Sequence, residues 1–367
     1  MQITDIKCYV LEHIAPEPNF RWRAGLPGAG DGTPPGEPTY SSIIKVETDE
    51  GIVGMSDGRG YATADLVRRR LKKYIGLDPL NTEKLWHEIW ELDRLEEFQV
   101  HQLGMLDVAC WDIKSRKANM PLYKMLGGYD AKIPAYASTV TWDTMDEYER
   151  HIKESRDIGF TSFKLHAWGD AKEDAKLSRN LRKWVGDDAD LMFDGSAGWD
   201  YTTSLWFGRV LEEVNFLWYE EPMREFDLVS YAELCRSLDI PVLAAETCDG
   251  CHWNAATWIQ YRALDMMRVS VGFKGGVTGA IKVAHLAESF GMRAQVHGGG
   301  IPNLHLCAAI PNNDYYEQLV IDTEQIAGLE ASGPLSIVDG YITAPDEPGL
   351  QSHPDWNEIE KRAVLIV

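Results

Sequence analysis

The chain has 367 residues, a formal net charge of -21 and six cysteines (Cys8, Cys110, Cys235, Cys248, Cys251 and Cys307) without a pairing pattern. That length holds a full barrel and one smaller domain, and the six thiols read as reduced, with Cys248 and Cys251 forming a lone C-x-x-C. The acidic balance excludes nucleic acid as a partner, because no Lys/Arg cluster exists to release phosphate counterions, and the lack of a long apolar run or a basic leader predicts a soluble cytoplasmic protein with no membrane partner.

Residues 2–12 and 41–48 alternate in the manner of strands. Between them, Pro16 to Pro38 is a Gly/Pro-rich loop carrying Arg21, Trp22 and Arg23. A loop of that length inside a compact domain is usually a lid or disordered, and the Arg-Trp-Arg cluster favours a lid over about 16–38. Gly51 to Gly54 closes a hairpin, and Arg59 and Tyr61 follow in a second loop. From Ala62 to Gly127 the apolar spacing turns helical, so residues 1–130 predict an α+β domain.

Strand and helix signals then alternate: Ala135–Ser138, Ser162–His166, Leu191–Asp194, Phe216–Glu220, Val242–Glu246, Met266–Ser270, Arg293–His297 and Tyr315–Gln318 read as strands. Eight strands with helical connectors, such as Tyr201 to Val214 and Leu228 to Leu238, predict an α/β barrel of the TIM type over 131–330. The tail, 331–367, shows two more strand-like runs, Leu335–Val338 and Ala363–Ile366, and is expected to return to the first domain.

Three barrel strands end in acids: Asp194, Glu220 and Glu246, 26 residues apart and then 26 again. One acid at a strand end is most simply a helix N-cap. Three in register, at the C-terminal rim where barrel enzymes build their sites, are better explained by a divalent cation between them. Oxygen-only ligands favour Mg²⁺ over Zn²⁺. On the second strand Lys164 and His166 share a face and point into the mouth, a candidate charge anchor and base. His297 ends the seventh strand before three glycines, Glu317 on the eighth could hydrogen-bond a substrate oxygen, and Lys274, before Gly275-Gly276 after the sixth, is a further candidate to bind substrate. The arrangement suits abstraction of a proton α to a carboxylate, with the metal holding the enediolate.

With these residues assembled, the chain resembles the enolase superfamily, in its mandelate racemase branch. The resemblance rests on Leu106 to Ile113, Pro121 to Gly128, Glu220-Glu221-Pro222 and Gly275 to Thr278. It implies a modified (β/α)7β barrel beneath an α+β capping domain built from the N-terminal region and the C-terminal tail. It also implies one Mg²⁺ per subunit on Asp194, Glu220 and Glu246, Lys164 neutralising a substrate carboxylate, and His166 in place of the usual second base lysine. His297 would be the acid or base on the opposite face, Glu317 a hydrogen-bond donor to the carboxylate, and the loop around Arg21, Trp22 and Arg23 the selecting lid. Two departures stand out: Lys-x-His replaces Lys-x-Lys, and Ser270 falls where an Asp would orient His297. Without that Asp, His297 has no evident carboxylate partner and reads better as an acid than as a base, with Lys274 available nearby.

The function expected on these grounds is a Mg²⁺-dependent sugar-acid dehydratase of carbohydrate catabolism, a carbon-oxygen lyase that yields a 2-keto-3-deoxy acid. A racemase, epimerase or cycloisomerase using the same enolate is the alternative, and a non-catalytic sugar-acid binding relative is a third reading. The expected partner is a small anionic substrate. The family's habit adds a homo-oligomer.

Overall fold

Apolar and polar side chains alternate along the two longest strands, β1 (Ile3–Ile14) and β2 (Pro38–Thr48), which pair antiparallel from Ile3↔Thr48 to Ile14↔Pro38. β3 (Val53–Gly58) continues the sheet beyond β2. The computed structural model describes residues 1–16, 20–26, 28, 32–96, 100–248 and 250–367; of the expected lid, positions 17–19, 27 and 29–31 lie outside the described residues. Helices Gly60–Arg69, Thr82–Glu96 and Val100–Lys117 cover one face of the sheet, and Ile6, Ile44, Val46, Leu66, Leu106 and Ile113 belong to their common core. A Cβ at Gly54 would lie 2.2 Å from the Ala109 carbonyl oxygen, so glycine is what lets β3 sit directly on the third helix.

Eight parallel strands follow: β4 (Lys132–Thr139), β5 (Ser162–His166), β6 (Asp190–Asp194), β7 (Trp218–Glu220), β8 (Val242–Ala244), β9 (Met266–Val269), β10 (Ala294–Val296) and β11 (Tyr316–Val320). Each pairs with the next as far as β10, and β11 returns to pair with β4. Seven helices, from Met145–Asp157 to Ile301–Ala309, connect them, which is the (β/α)7β arrangement expected. Between β10 and β11 the seam is spanned without a ladder: Ala294 N donates to Asn312 O at 2.7 Å and Val296 N to Asn313 Oδ1 at 3.0 Å. β12 (Tyr341–Thr343) pairs antiparallel with β4, and β13 (Ala363–Ile366) pairs antiparallel with β1, so the chain's end lies on the first sheet. The expected strand Leu335–Val338 is not one: Gly333–Leu335 is a 3₁₀ turn on Pro334, and only Val338 bridges, to Tyr341.

Buried Tyr136, Met192, Trp218 and Leu243 form one cluster of facing side chains on four barrel strands. Two residues further on, the same strand faces carry Ser138, Asp194 and Glu220. A polar layer therefore sits directly above an apolar plug. The first domain docks through Asp107, whose Oδ2 accepts from Thr278 N at 3.0 Å and whose Oδ1 accepts from Thr278 Oγ1 at 2.6 Å, so one helix caps the start of another, Val277–Ser289. Burial pushes the Asp107 carboxyl up to about 7. Among the described residues no helix is long and apolar enough to cross a membrane.

Candidate metal and acid-base site

The helix-cap reading of the rim acids fails on their neighbours. N-capping along this part of the barrel is done by other aspartates: Asp170 accepts from Lys172 N and Glu173 N, Asp200 from Thr203 N, and Asp227 from Ser230 N. Asp194 and Glu220 are left to face the barrel mouth, in register with each other and with His166 on β5.

Glu246 arrives differently. The strand expected to run through it stops at Ala244, because Ala245 takes a left-handed φ of 75°. Glu221 is also left-handed, at 39°, and its Oε1 accepts from Glu246 N at 3.0 Å. Lys274 Nζ completes the bend by donating to the carbonyls of Ala245 (2.8 Å), Glu246 (3.0 Å) and Cys248 (3.3 Å). All three of its protons go to the backbone, and its side chain does not line the cavity where substrate was expected to meet it.

Lys164 and Arg268, both fully buried, bind the carboxylates together. Lys164 Nζ lies 2.7 Å from Glu317 Oε1, 3.1 Å from Glu220 Oε2 and 3.5 Å from Asp194 Oδ2. Arg268 reaches Glu220 Oε1 and Glu317 Oε2, each at 2.7 Å, and comes within 3.8 Å of Glu246 Oε2. Burial would lower the Lys164 ammonium, but Glu220 and Glu317 outweigh it and hold it well above its ordinary value. For Asp194 burial is outweighed by His166 and Lys164, which keep it ionised below the usual carboxylate range; for Glu220 burial prevails over Arg268 and Lys164 and raises it. Arg268 went unnoticed in the sequence. Its signal was a lone charge in the run Met266-Met267-Arg268-Val269, on a strand that must be buried on both faces.

The two histidines stand in unlike settings. His166 Nδ1 lies 2.7 Å from the Thr139 carbonyl, which can only accept, so that nitrogen carries the proton and Nε2 is the working atom, 3.0 Å from Asp194 Oδ2. Tyr148 OH fixes the His166 carbonyl at 2.7 Å. His297 Nδ1 lies 2.9 Å from Glu246 Oε2, which corrects the expectation that His297 lacks a carboxylate: a bend two residues past a strand end brings one across the mouth in place of Ser270, whose hydroxyl accepts from Phe273 N. Burial would lower the His297 imidazole, but Glu246 and then Glu317 outweigh it and raise it.

A cavity of about 550 Å³ opens above these groups, and Trp22, Arg59, His166, Asp194, Glu246, His297 and Glu317 are among its lining. Trp22 stands 4.9 Å, centroid to centroid, from His166, and Phe273 stands 5.3 Å from His297. Of the lid trio only Trp22 faces the cavity. Arg21 bridges Thr141 through its backbone, and Arg23 Nε donates to the Ser196 carbonyl at 3.3 Å.

Several polar atoms of the donor set are left unsatisfied by the protein itself. Glu220 Oε1, Glu221 Oε2, Arg268 Nε and His297 Nδ1 are buried without an aligned hydrogen-bond partner, although three of them have ion contacts. Four carboxylates (Asp194, Glu220, Glu246 and Glu317) face two permanent cations here, an excess that a dication fits, while burial and Glu246 push the Glu221 carboxyl well up. One metal-like grouping is already drawn together: Glu220, Glu246 and His297 offer ligand atoms within 4.8 Å of one another, while Asp194 is turned to His166 and Lys164.

Known proteins carry the same plan. The chain shares 32% identity with a magnesium-complexed D-glucarate dehydratase from Agrobacterium tumefaciens, covering 100% of both chains with a TM-score of 0.87. It is 26% identical to an arabinonate dehydratase of Saccharolobus solfataricus, over 83% of this chain and 86% of that one. A 3,6-anhydro-alpha-L-galactonate cycloisomerase of Streptomyces coelicolor is 27% identical over 88% and 91%. Residues 147–358 match the model described as enolase C-terminal domain-like, and residues 37–127 match the mandelate racemase / muconate lactonizing enzyme N-terminal domain. Acids brought to one rim, a cap docked through Asp107 and these matches agree: the chain belongs to the mandelate racemase / muconate lactonizing enzyme family of the enolase superfamily.

Proposed function

We propose that this chain is a Mg²⁺-dependent sugar-acid dehydratase, removing the proton α to a carboxylate and expelling the β-hydroxyl to give a 2-keto-3-deoxy acid. The observation that carries the reading is the inequality of the two cavity histidines. His166 is tied through Nδ1 to a backbone carbonyl, which fixes its tautomer and leaves Nε2 to face Asp194, whereas His297 turns Nδ1 to two carboxylates, Glu246 at 2.9 Å and Glu317 at 3.7 Å, which raise its imidazole. Racemisation needs two interchangeable bases. Elimination needs one base and one acid.

Asp194, Glu220 and Glu246 would hold the metal, since oxygen donors alone suit a hard dication and an imidazole from His297 suits a softer one. When bound, Mg²⁺ supplies positive charge beside the carboxylate oxygens as negative charge grows there. Lys164, fully buried among the carboxylates and kept protonated by Glu220 and Glu317, offsets the charge of that carboxylate through the field of its ammonium. His166 Nε2 takes the α-proton as the C–H bond breaks. His297 then gives its proton to the β-oxygen as the C–O bond breaks, so one water leaves and the enol rearranges to the ketone. Trp22 and Phe273, each beside one histidine, wall the path and keep bulk water from either proton. Dehydratases among the similar proteins support this direction, and cycloisomerases, racemases and epimerases among them keep the isomerase alternative in view.

The test is proton NMR in D₂O of the Mg²⁺-loaded protein with a panel of mono- and diacid sugars. A 2-keto-3-deoxy product is expected. Deuterium at the α-carbon of an intact skeleton would move the protein to the racemase or epimerase reading.

A further inference from the structure

The cavity draws its lining from both domains. The barrel rim supplies the acids and histidines, and the first domain supplies Trp22, Leu26 and Arg59. Arg59, in the turn between β3 and the helix Gly60–Arg69, is the single lysine or arginine among the described lining residues, because Lys164 and Arg268 lie beneath the lining and are taken by the rim acids. Its side chain is exposed and, among the described residues, has neither an ion pair nor a hydrogen bond. Glu225, another acid of the lining, accepts from Thr247 Oγ1 and forms no ion pair with Arg59. The backbone that carries this unpaired charge is nevertheless fixed. Arg59 N donates to Thr63 Oγ1 at 2.7 Å, and Gly60 takes a left-handed φ of 50° with the place of a Cβ only 2.7 Å from the Tyr40 carbonyl oxygen, so the turn packs directly on β2. The helix that follows has no acid in its first turn to compete for the guanidinium.

We propose that Arg59 binds a second carboxylate, at the end of the substrate remote from the proton that is removed, and thereby selects a sugar diacid over the monoacid of the same configuration. The assignment rests on the proposed carboxylate chemistry at the rim, which leaves the far end of the substrate to the first domain. A guanidinium meets a carboxylate through two parallel N–H···O bonds, a match of shape as well as charge. One cation also matches one negative charge; a phosphate, carrying about two, would find no second lysine or arginine among the described lining residues. A terminal hydroxyl would leave Arg59 in water at little cost. The selection therefore comes from affinity gained on the diacid and not from rejection of the monoacid.

Titration calorimetry of the full-length, Mg²⁺-loaded protein tests this with the six-carbon sugar diacids, their matching monoacids and the matching ω-phosphorylated monoacids. It is done in a parent carrying His166→Asn and His297→Asn, so that binding is read apart from turnover. At least one diacid should bind the parent roughly tenfold or more tightly than its monoacid, the gain of a charge-assisted hydrogen-bond pair. Adding Arg59→Gln should bring that ratio below about twofold, and Arg59→Lys should give an intermediate ratio, since an ammonium keeps the charge without the fork. A general disturbance of the fold would weaken both acids alike and leave the ratio where it was. No diacid preference in the parent, or a preference unchanged by Arg59→Gln, overturns the proposal. Tighter binding of a phosphorylated monoacid than of the diacid, abolished by Arg59→Gln, overturns the carboxylate in favour of a phosphate. The reaction is read separately by NMR on the wild type: α-deuterium without a keto-acid product refutes the dehydratase reading, whereas an Arg59-dependent diacid ratio supports the Arg59 assignment under either chemistry.

Discussion

The ligand set can be decided by pairing two substitutions, Asp194→Asn and His297→Asn, with thermal unfolding in the presence of Mg²⁺ and of chelator. Sequence spacing puts Asp194 in the set with Glu220 and Glu246; proximity of ligand atoms puts His297 there instead. A ligand at a hundred times its Kd stabilises the folded state by about 2.7 kcal/mol. With about 2.1 cal/mol/K of unfolding entropy per residue, the 367-residue chain loses stability by roughly 0.8 kcal/mol per degree near its Tm, so Mg²⁺ should raise the wild-type Tm by about 3–4 °C. Asp194→Asn removes one charge and one hard donor, and its shift should fall below about 1 °C at the same concentration. His297→Asn frees Glu246 from its imidazole partner and should keep the full shift. Each variant is compared with itself, with and without metal, so effects on the apo fold cancel. A full shift in Asp194→Asn together with none in His297→Asn would refute the oxygen-only set and the argument for Mg²⁺ built on it.

His166→Asn and His297→Asn should each reduce turnover by roughly 10²–10⁴. Only His166→Asn should also abolish exchange of the α-proton with D₂O; loss of exchange in both would indicate two interchangeable bases and an isomerase. Lys274→Met leaves the Ala245, Glu246 and Cys248 carbonyls without their shared donor and should destabilise the fold by at least roughly 3 kcal/mol in denaturant titration. A loss under about 1 kcal/mol would mean that the bend carrying Glu246 does not depend on that ammonium. Asp107, pushed up to about 7 from an unfolded value of about 3.9, binds its proton more tightly when folded, so its contribution is complete below about pH 4 and is lost as pH rises towards 7. The stability of Asp107→Asn relative to wild type should therefore improve across that window, by up to about 4 kcal/mol; a constant difference would mean the carboxyl is ionised throughout.

The barrel was legible because its strands obey simple rules. Parallel strands covered by helices on the outside read as short apolar runs, and the acid that ends each run stands where the rim begins. Asp194 and Glu220 could be placed from spacing alone, and Lys164 with His166 from the two-residue period of a strand. Glu246 was placed for a partly wrong reason, since its strand ends at Ala244 and a left-handed Ala245 redirects it. Such a φ in a non-glycine residue is held by tertiary bonds, here Glu221 and Lys274, that no local pattern announces. The carboxylate partner of His297 was missed for the same cause. Arg268 was missed because a buried arginine is defined by its partners, and these lie on β4, β7, β10 and β11, far apart in sequence.

Stability and chemistry draw on the same contacts in this site. A layer of carboxylates on an apolar plug of Tyr136, Met192, Trp218 and Leu243 is unfavourable for a fold unless cations are buried with it. Lys164 and Arg268 supply them from opposite sides of the barrel, one on β5 and one on β9. Neither has a rotamer to choose, because each is held by two or three carboxylate contacts at once. An ammonium fixed in that way is oriented before any substrate arrives, which is the condition for electrostatic stabilisation without reorganisation. The lysine that makes the acidic layer tolerable is the one whose charge the proposed function sets against a substrate carboxylate, and Glu317, closing the seam between β10 and β11 through Gly298 N, ties its place to the closure of the barrel itself.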